Sequence, residues 1–211
     1  MDWSVLWSFR TELLDGAITT VQITALSIIG STLLGLIVAG AEISPSYLSR
    51  KLARTYVEVN RNVPGIVKVF ILYYVAGLDA FPAGVVGLSI HQSAYIADVI
   101  SSGLRSIPNE QTETGWVLGH NYPQIYFYIL VPQLLRSIAP PLTSQYIEVL
   151  KNSAIVMIVG LPELTFYTQE IEFRTGRGFL AAGVVTILYL LLALAISGLM
   201  ILAQRSFRRL A

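Results

Sequence analysis

An uncharged run, GAITTVQITALSIIGSTLLGLIVAGA, fills residues 16–41 between Asp15 and Glu42 and decides the fold. As an α-helix its 26 residues would extend roughly 39 Å, which exceeds the ~30 Å hydrocarbon core of a bilayer. A second uncharged run, GFLAAGVVTILYLLLALAISGLMILAQ, fills residues 178–204. Both runs therefore predict helices that cross a membrane.

The composition of the whole chain supports a membrane protein. Of its 211 residues, 54% are hydrophobic and 13% are charged, and the mean hydropathy is +0.64. A soluble domain carries roughly twice that share of charge, and disorder needs low hydrophobicity with high net charge. The formal net charge of +1 indicates no nucleic-acid partner, and the lack of cysteine excludes disulfides, thiolate nucleophiles and Cys-based metal sites. We treat residues 1–211 as a single transmembrane domain.

Three further spans are predicted from less apolar stretches. Residues 80–97 are uncharged but contain His91, which indicates that one face of this helix contacts protein or water instead of lipid. Residues 55–78 and 138–161 carry charged side chains and prolines, so they are plausible spans only if their polar faces line the interior of a bundle. Hydropathy alone would also allow a sixth span at residues 114–135.

The basic residues favour an outside amino terminus and a cytoplasmic carboxyl terminus. With five spans, residues 42–54, 101–137 and 205–211 are cytoplasmic and hold eight basic residues, against three in the outer pieces. This distribution follows the positive-inside rule. Residues 1–15 carry acids and a pair of tryptophans, which predicts an interfacial amino-terminal segment rather than a cleavable signal.

The chain lacks the residues that an enzyme of this kind would need. Gly35 and Gly40 have the glycine spacing of a nucleotide-binding loop, but Ala41 and Glu42 follow in place of Lys and Ser or Thr. Small residues in a membrane helix more commonly serve close helix packing. Neither histidine lies in a metalloprotease pattern. We therefore predict no catalytic residue, no metal site and no cofactor in this chain.

Residues 106–121 predict a helix–turn–helix between two spans. Pro108 stops the preceding helix, and Glu113 lies in a short polar helix that follows. Gly119 permits the left-handed conformation that closes a helix, and Asn121 can cap the next one. The result is a rigid cytoplasmic segment that a partner protein could move.

This stretch resembles the cytoplasmic EAA loop in permease subunits of bacterial ATP-binding-cassette importers, above all those of polar amino-acid uptake. The family pattern is S-I-P-x-G-Q-x-E-A-A-x-x-L-G, followed further along by I-L-P-Q. Glu110 stands in place of its Gly, and Thr114 and Gly115 replace its two alanines. The matching positions are Ser106, Ile107, Pro108, Gln111, Glu113, Leu118, Gly119, Leu130, Pro132 and Gln133.

Other motifs extend the resemblance over about residues 16–205. Residues 56–64, YVEVNRNVP, resemble the family pattern Y-V-E-x-x-R-x-T-P, and residues 150–153, LKNS, resemble L-K-x-[ST]-S. The resemblance implies an all-α membrane protein of about five transmembrane helices with an EAA-type coupling loop within the cytoplasmic region 101–137. It also implies that residues 114–135 form a loop and a surface helix instead of a sixth span.

The resemblance further implies a function and a set of partners. The chain would be the permease subunit that moves a polar amino acid, or a close derivative, across the bacterial inner (plasma) membrane by alternating access. It would pair with a second permease subunit, in a homodimer or heterodimer, with two cytoplasmic subunits that bind ATP and Mg, and with an extracytoplasmic solute-binding protein. The alternative is a channel or an ion-coupled carrier without an ATPase. The implied ATPase-coupling residues are Gln111, Glu113, Thr114, Gly115, Leu118 and Gly119.

Charged residues within the spans are candidates for the solute path. Glu58 and Arg61 are three residues apart and are expected to form a structural or gating ion pair; Glu148 and Lys151 have the same spacing. A zwitterionic amino acid needs an anion for its ammonium and donors for its carboxylate. Acidic, basic, neutral and modified amino acids all fit, because the spans hold both signs of charge. The path candidates are Glu148, Lys151, Asn152, Ser153, Lys68 and His91, and outer-loop candidates for seating a binding protein are Glu163, Glu170, Glu172, Arg174 and Arg177.

Overall fold

The computed structural model describes residues 7–209, and the side chains of residues 7–205. Over this range the regular structure is helical and contains no β-strand, so the predicted all-α fold is confirmed. Two segments, Ile71–Val75 and Ile125–Leu130, are π-helical, and Ser153–Val159 is a 3₁₀ helix. The helices are α1 Arg10–Glu42, α2 Tyr47–Asn62, α3 Gly65–Phe70, α4 Ala80–Arg105, α5 Asn109–Val117, α6 Tyr122–Gln124, α7 Val131–Asn152, α8 Leu164–Thr175 and α9 Gly178–Arg209.

The two uncharged runs each form one long helix, as predicted. In the described part of the chain, α1 and α9 are long and apolar enough to cross a membrane. A third crossing is added if the helical stretch Tyr122–Val159 and α8, which meet at a bend of 49°, are counted together. Helix α1 already begins at Arg10, so the end of the predicted interfacial segment 1–15 belongs to it; residues 1–6 of that segment lie outside the described residues.

Helices α1 and α4 pack against each other along most of their length through small residues. A methyl group added at Gly35 would lie 2.7 Å from Cγ2 of Ile96, so a larger residue would force the two helices apart. Ala39 is fully buried at the same interface, in a cluster that includes Ile96 and Ile138. The interpretation of Gly35 as a helix-packing residue is therefore confirmed.

The predicted span 55–78 is interrupted at Pro64. Helix α2 starts earlier, at Tyr47, and ends at Asn62, because the residue before a proline disfavours helical dihedral angles. Val63 accordingly has an extended backbone, with φ −98° and ψ 123°. The sequence correctly predicts a distortion here, but the structure shows a complete break between α2 and α3.

The predicted span 138–161 is part of a longer helical stretch. Helical structure runs from Tyr122 through Val159, with Pro140 and Pro141 inside α7. It ends at Gly160, whose φ of +75° is the left-handed conformation that favours glycine.

The predicted helix–turn–helix at residues 106–121 is confirmed. Helix α5 closes at a turn in which Gly119 has φ +81°. The Asn121 side chain accepts a hydrogen bond from the Gln124 amide at 3.0 Å, and Gln124 Oε1 accepts one from the Asn121 amide at 2.8 Å, which is a complete capping box. Because this turn divides residues 114–135, a continuous sixth span there is ruled out.

Gly115 is the buried residue of α5 and packs against the helical stretch that follows the turn. A methyl group added at Gly115 would lie 2.8 Å from Cγ1 of Ile125 and 3.2 Å from Cδ1 of Ile129. The glycine therefore lets α5 lie directly on its neighbour.

Candidate functional site

A cavity of about 300 Å³ lies between α4 and α7 and is lined almost entirely by polar side chains. Three of the six predicted path residues contribute to its wall. We call it the polar cavity. Its lining residues are His91, Gln92, Tyr95, Gln145, Glu148 and Asn152.

A second cavity, of about 400 Å³, adjoins the first and reaches the end of α4. We call it the basal cavity. Tyr95 and Gln145 line both cavities, so the two are neighbours along the groove between α4 and α7. Ser106, the residue that begins the predicted coupling loop, lies in the wall of the basal cavity. The polar groove therefore leads towards α5.

The predicted ion pair between Glu148 and Lys151 is confirmed. Both side chains remain about half exposed, at 46% and 57%. Only Glu148 faces the polar cavity, because Lys151 lines a separate groove that includes Thr168 and Tyr189. Among the predicted path residues, Glu148 thus supplies a negative charge to the polar cavity, and its lysine partner approaches from the side.

Lys68 holds the break between α2 and α3 together instead of lining the polar cavity. Its Nζ donates hydrogen bonds to the carbonyl oxygens of Asn60 at 2.7 Å and Val63 at 3.0 Å, which lie at the end of α2. The same Nζ lies 3.0 Å from Nδ1 of His91. Lys68 therefore acts on the cavity indirectly, by fixing one side of the His91 ring.

Ser153 lies in the interior of the protein and not on the cavity wall. Its side chain is fully buried, and its Oγ donates a hydrogen bond to the Leu150 carbonyl at 2.7 Å. This hydrogen bond lies where α7 ends and the 3₁₀ segment begins, at Ser153. The neighbouring Asn152 does line the polar cavity, together with Glu148. Of the four residues in the motif LKNS, Asn152 is thus the one on the wall of this cavity.

The predicted pair between Glu58 and Arg61 is wrong. The Arg61 guanidinium forms its salt bridge with Asp98 of α4 and lies over the Tyr95 ring, 5.4 Å from the centroid. Arg61 points towards α4, where a carboxylate and an aromatic face are both available, while Glu58 remains exposed. This pair lies in the wall of the basal cavity.

A second ion pair, which the sequence reasoning missed, joins the ends of α1 and α4. Arg105 Nη2 lies 3.1 Å from Glu42 Oε2, and the Glu42 side chain is only 5% exposed. A buried carboxylate needs such a partner. The pair fixes the end of α4 immediately before the turn that leads into α5.

Helix α5 presents most of the predicted coupling residues to the surroundings. Gln111, Glu113 and Thr114 are exposed, as are Leu118 and Gly119 in the turn, whereas Gly115 is buried. Large apolar side chains share this surface: Trp116 is 52% exposed, Val117 86% and Leu118 69%. A surface such as that of α5, with both charged and apolar exposed side chains, is suited to bind a partner protein.

Glu163 is a structural residue, which corrects its prediction as an outer contact. Its side chain is fully buried and caps α8, where its carboxylate accepts hydrogen bonds from the amides of Thr165 at 2.9 Å and Phe166 at 2.8 Å. The hydroxyl of Tyr189 on α9 donates to the same carboxylate at 2.6 Å.

No group of three or more His, Asp or Glu side chains in the described range is arranged to hold a metal ion.

Sequence reasoning missed Gln92, Tyr95, Asp98 and Gln145. A period of three and four residues marks one face of a helix, and this signal was available. Four of the cavity residues on α4 follow it, and so do four of those on α7. The two sets are His91, Tyr95, Asp98 and Ser102 on α4, and Pro141, Gln145, Glu148 and Asn152 on α7.

Residues 31–210 match the family model described as "Binding-protein-dependent transport system inner membrane component". Among curated relatives, the chain is 30% identical over 203 residues to the glutamine transport system permease protein GlnP of Escherichia coli strain K12, covering 93% of each chain. It is 32% identical over 202 residues to the probable glutamine ABC transporter permease protein GlnM of Bacillus subtilis strain 168, covering 93% of this chain and 94% of the relative.

Solved structures share the whole architecture. The crystal structure of an amino acid ABC transporter with histidines contains a chain that is 29% identical, with a TM-score of 0.88, and the match covers 98% of this chain and 99% of that chain. An inward-facing structure of the MetNI methionine ABC transporter matches with a TM-score of 0.80 at 20% identity, over 98% and 99% of the two chains. The second likeness concerns the fold alone.

Proposed function

The chain belongs to the family of binding-protein-dependent transport system inner membrane components, and on that premise we propose that it is the transmembrane subunit of an ATP-driven importer for a polar amino acid. The observation that carries the choice of solute is the polar cavity between α4 and α7, in a chain whose relatives include amino-acid transport permeases. The cavity is lined by amides, a carboxylate, an imidazole and a phenol, which suit a small solute with several hydrogen-bonding groups.

The polar cavity offers partners for both ends of an amino acid. Glu148 is the carboxylate that would bind the ammonium group. The amides of Gln145 and Asn152 would donate hydrogen bonds to the solute carboxylate or side chain, and His91 would contribute a further polar contact. Lys151 would compensate Glu148 while the cavity is empty, because the two side chains are already paired.

ATP hydrolysis is assigned to separate subunits. The chain lacks a nucleotide-binding loop, so ATP and Mg would be held by two cytoplasmic partners that seat on α5. The exposed Glu113, Val117 and Leu118 would form this contact. Because α5 is joined to α4 by three residues and to the stretch leading into α7 by a tight turn, its movement would reach both walls of the polar cavity.

The remaining partners are a second permease subunit and an extracytoplasmic solute-binding protein. Only 11% of the most apolar part of α9 is buried within the chain, which leaves most of its surface for lipid or the second subunit. With the amino terminus outside, α8 lies on the outer side, and the exposed Glu172 and the Glu170–Arg174 pair are available to the binding protein. The five-span topology and this orientation agree with the distribution of basic residues.

Transport by the reconstituted complex tests this proposal. The chain would be purified with its co-purifying ATP-binding subunit, placed in liposomes and supplied with the binding protein and a radiolabelled amino acid. Uptake should require ATP, and Glu148→Gln should reduce it at least tenfold, because the neutral side chain loses its charge-assisted bond to the ammonium, a loss of about 1.5–3 kcal/mol. Glu12→Gln, on the far part of α1, is the matched control and should transport normally.

One result would contradict the proposed function, and another would contradict only the role of Glu148. Uptake by this chain alone under a proton gradient, without an ATPase subunit, would establish the alternative of an ion-coupled carrier. Equal uptake by Glu148→Gln and Glu12→Gln would remove Glu148 from the solute path while leaving the importer assignment intact.

A further inference from the structure

A buried glutamine and a partly buried one meet where the polar cavity and the basal cavity adjoin. Gln92 Nε2 of α4 donates a hydrogen bond to Gln145 Oε1 of α7 at 2.5 Å. Gln92 is only 3% exposed, while Gln145 lines both cavities. The hydrogen bond therefore bridges the groove at the level where a solute would pass from one cavity to the other.

The ring of Tyr95 lies at the same level and separates the two cavities. Its edge-on contact with His91, at a centroid distance of 5.4 Å, is on the side of the polar cavity. Its contact with the Arg61 guanidinium, also at 5.4 Å, is on the side of the basal cavity. His91 lines only the first cavity and Arg61 only the second, so the ring stands between them.

The two helices that carry this bridge are the helices that flank α5. Helix α4 ends at Arg105, three residues separate it from α5, and the stretch after the Gly119 turn runs into α7 without a break. A hydrogen bond of this kind is lost when donor and acceptor separate beyond about 3.5 Å. A relative shift of about 1 Å between α4 and α7 is therefore enough to open it.

We propose that the Gln92–Gln145 hydrogen bond, together with the Tyr95 ring, is a gate within the chain between the polar and basal cavities, opened by movement of α5. The inference rests on the proposed import function, in which the solute leaves the polar cavity towards the cytoplasm. The gate is built from neutral groups, so it closes the path without placing a second charge beside Glu148. Its open form frees one donor and one acceptor, which the passing solute can bind.

A purely structural role would give a different result in an accessibility experiment. Two amides that only satisfy each other would hold α4 and α7 together, and the loss of their hydrogen bond would loosen both cavities alike. A gate instead controls access to the polar cavity alone. The chain contains no cysteine, so single reporter cysteines can be placed on either side: Asn152→Cys in the polar cavity and Ser102→Cys in the basal cavity.

The experiment uses the assembled, nucleotide-free transporter in membrane vesicles whose cytoplasmic face is outward. A charged, membrane-impermeant thiol reagent is added, and the labelling rate of this chain is followed by mass. Gln145→Met keeps the side-chain volume and removes the hydrogen bond, and should raise the labelling rate at position 152 by about threefold to tenfold. The rate at position 102 should stay unchanged.

Two further variants make the result specific. Tyr95→Leu removes the ring and leaves the amide pair, and should also accelerate labelling at position 152. Gln204→Met is the matched control, because it removes a glutamine hydrogen bond to Thr143 of α7, 3.3 Å long, that lies at neither cavity. It should change neither rate.

An unchanged rate at position 152 in both Gln145→Met and Tyr95→Leu would refute the gate. So would equal increases at positions 152 and 102, or an increase with Gln204→Met, since either result indicates general loosening of α7. ATP-driven uptake by the unmodified complex is measured in parallel in the liposomes described above. Its absence would refute the import function itself, whereas normal uptake with a failed labelling pattern would refute only the gate.

Discussion

The contact between Gly115 and Ile125 leads to a prediction that runs against the family pattern. Gly115→Ala introduces the alanine of the EAA pattern that this stretch resembles, and in an exposed helix this change would stabilise the protein by about 1 kcal/mol. Here the added methyl group would lie 2.8 Å from Cγ1 of Ile125, which is 1% exposed and cannot easily move. Overpacking of this kind costs about 1–3 kcal/mol. We expect a net destabilisation of about 1 kcal/mol, the difference between the two effects.

Thermal unfolding of the detergent-solubilised chain measures this difference. A loss of about 1 kcal/mol lowers the Tm of a chain of this size by about 2–4 °C. Gly183→Ala in α9 is the matched control, because a methyl group there would meet no atom within 4 Å, and its Tm should not fall. Gly115→Ala with a Tm at or above that of Gly183→Ala would refute the overpacking argument.

A double-mutant cycle tests the same contact from the other side. Ile125→Ala alone should cost about 2–5 kcal/mol, because it empties a buried site. In that background the methyl group of Gly115→Ala has room, so the second change should raise the Tm instead of lowering it. The same sign for Gly115→Ala in both backgrounds would show that Ile125 is not the reason for the glycine.

Three further outcomes follow from the side chains described above. Glu113→Arg should abolish solute-stimulated ATP hydrolysis by the complex while membrane insertion stays normal, and unchanged hydrolysis would remove Glu113 from the coupling contact. Asp98→Asn should lower the free energy of unfolding by under about 1 kcal/mol, because the Arg61 and Asp98 side chains are 47% and 41% exposed. Glu58→Gln should lower it less, and an equal or larger loss with Glu58→Gln would support the pairing of Glu58 with Arg61. Glu163→Ala should cost about 1–2 kcal/mol through loss of the cap on α8, with a smaller loss for Glu163→Gln, which keeps an acceptor oxygen; equal losses would contradict the capping role.

The parts of the fold that could be predicted depend on interactions between near neighbours. The turn at Gly119 and the cap at Asn121 involve residues within a few positions of each other, so the sequence contains the whole signal. The same holds for the pair Glu148 and Lys151 on one helix face. The two uncharged runs are similarly complete signals, because the thickness of the bilayer alone sets their length.

The wrong predictions concern which neighbour a side chain faces. Arg61 has one acid three residues away and another 37 residues away, and the structure selects the distant Asp98 because α4 faces that side of α2. Glu163 lies in a stretch rich in charge, yet its carboxylate turns inward to cap α8. Composition indicates that a charge needs a partner, but only the packing of the helices decides which one.

The spacing of polar residues on α4 and α7 explains why the candidate path was found only in part. Lys151, Asn152 and Ser153 were path candidates because they lie close to Glu148 in a predicted span, but Lys151 and Ser153 do not line the polar cavity. Steps of four, three and four residues keep side chains on one helix face. Counted from Glu148, such steps include Gln145 and Asn152 and leave out Ser153, but they do not exclude Lys151, which the packing of the helices places in a separate groove. The same steps on α4 connect His91 with Tyr95, Asp98 and Ser102. Polar groups within a bilayer raise the free energy of the protein unless they contact protein or water. Two such polar stripes, on helices joined through α5, are therefore most stable when they face each other across a groove.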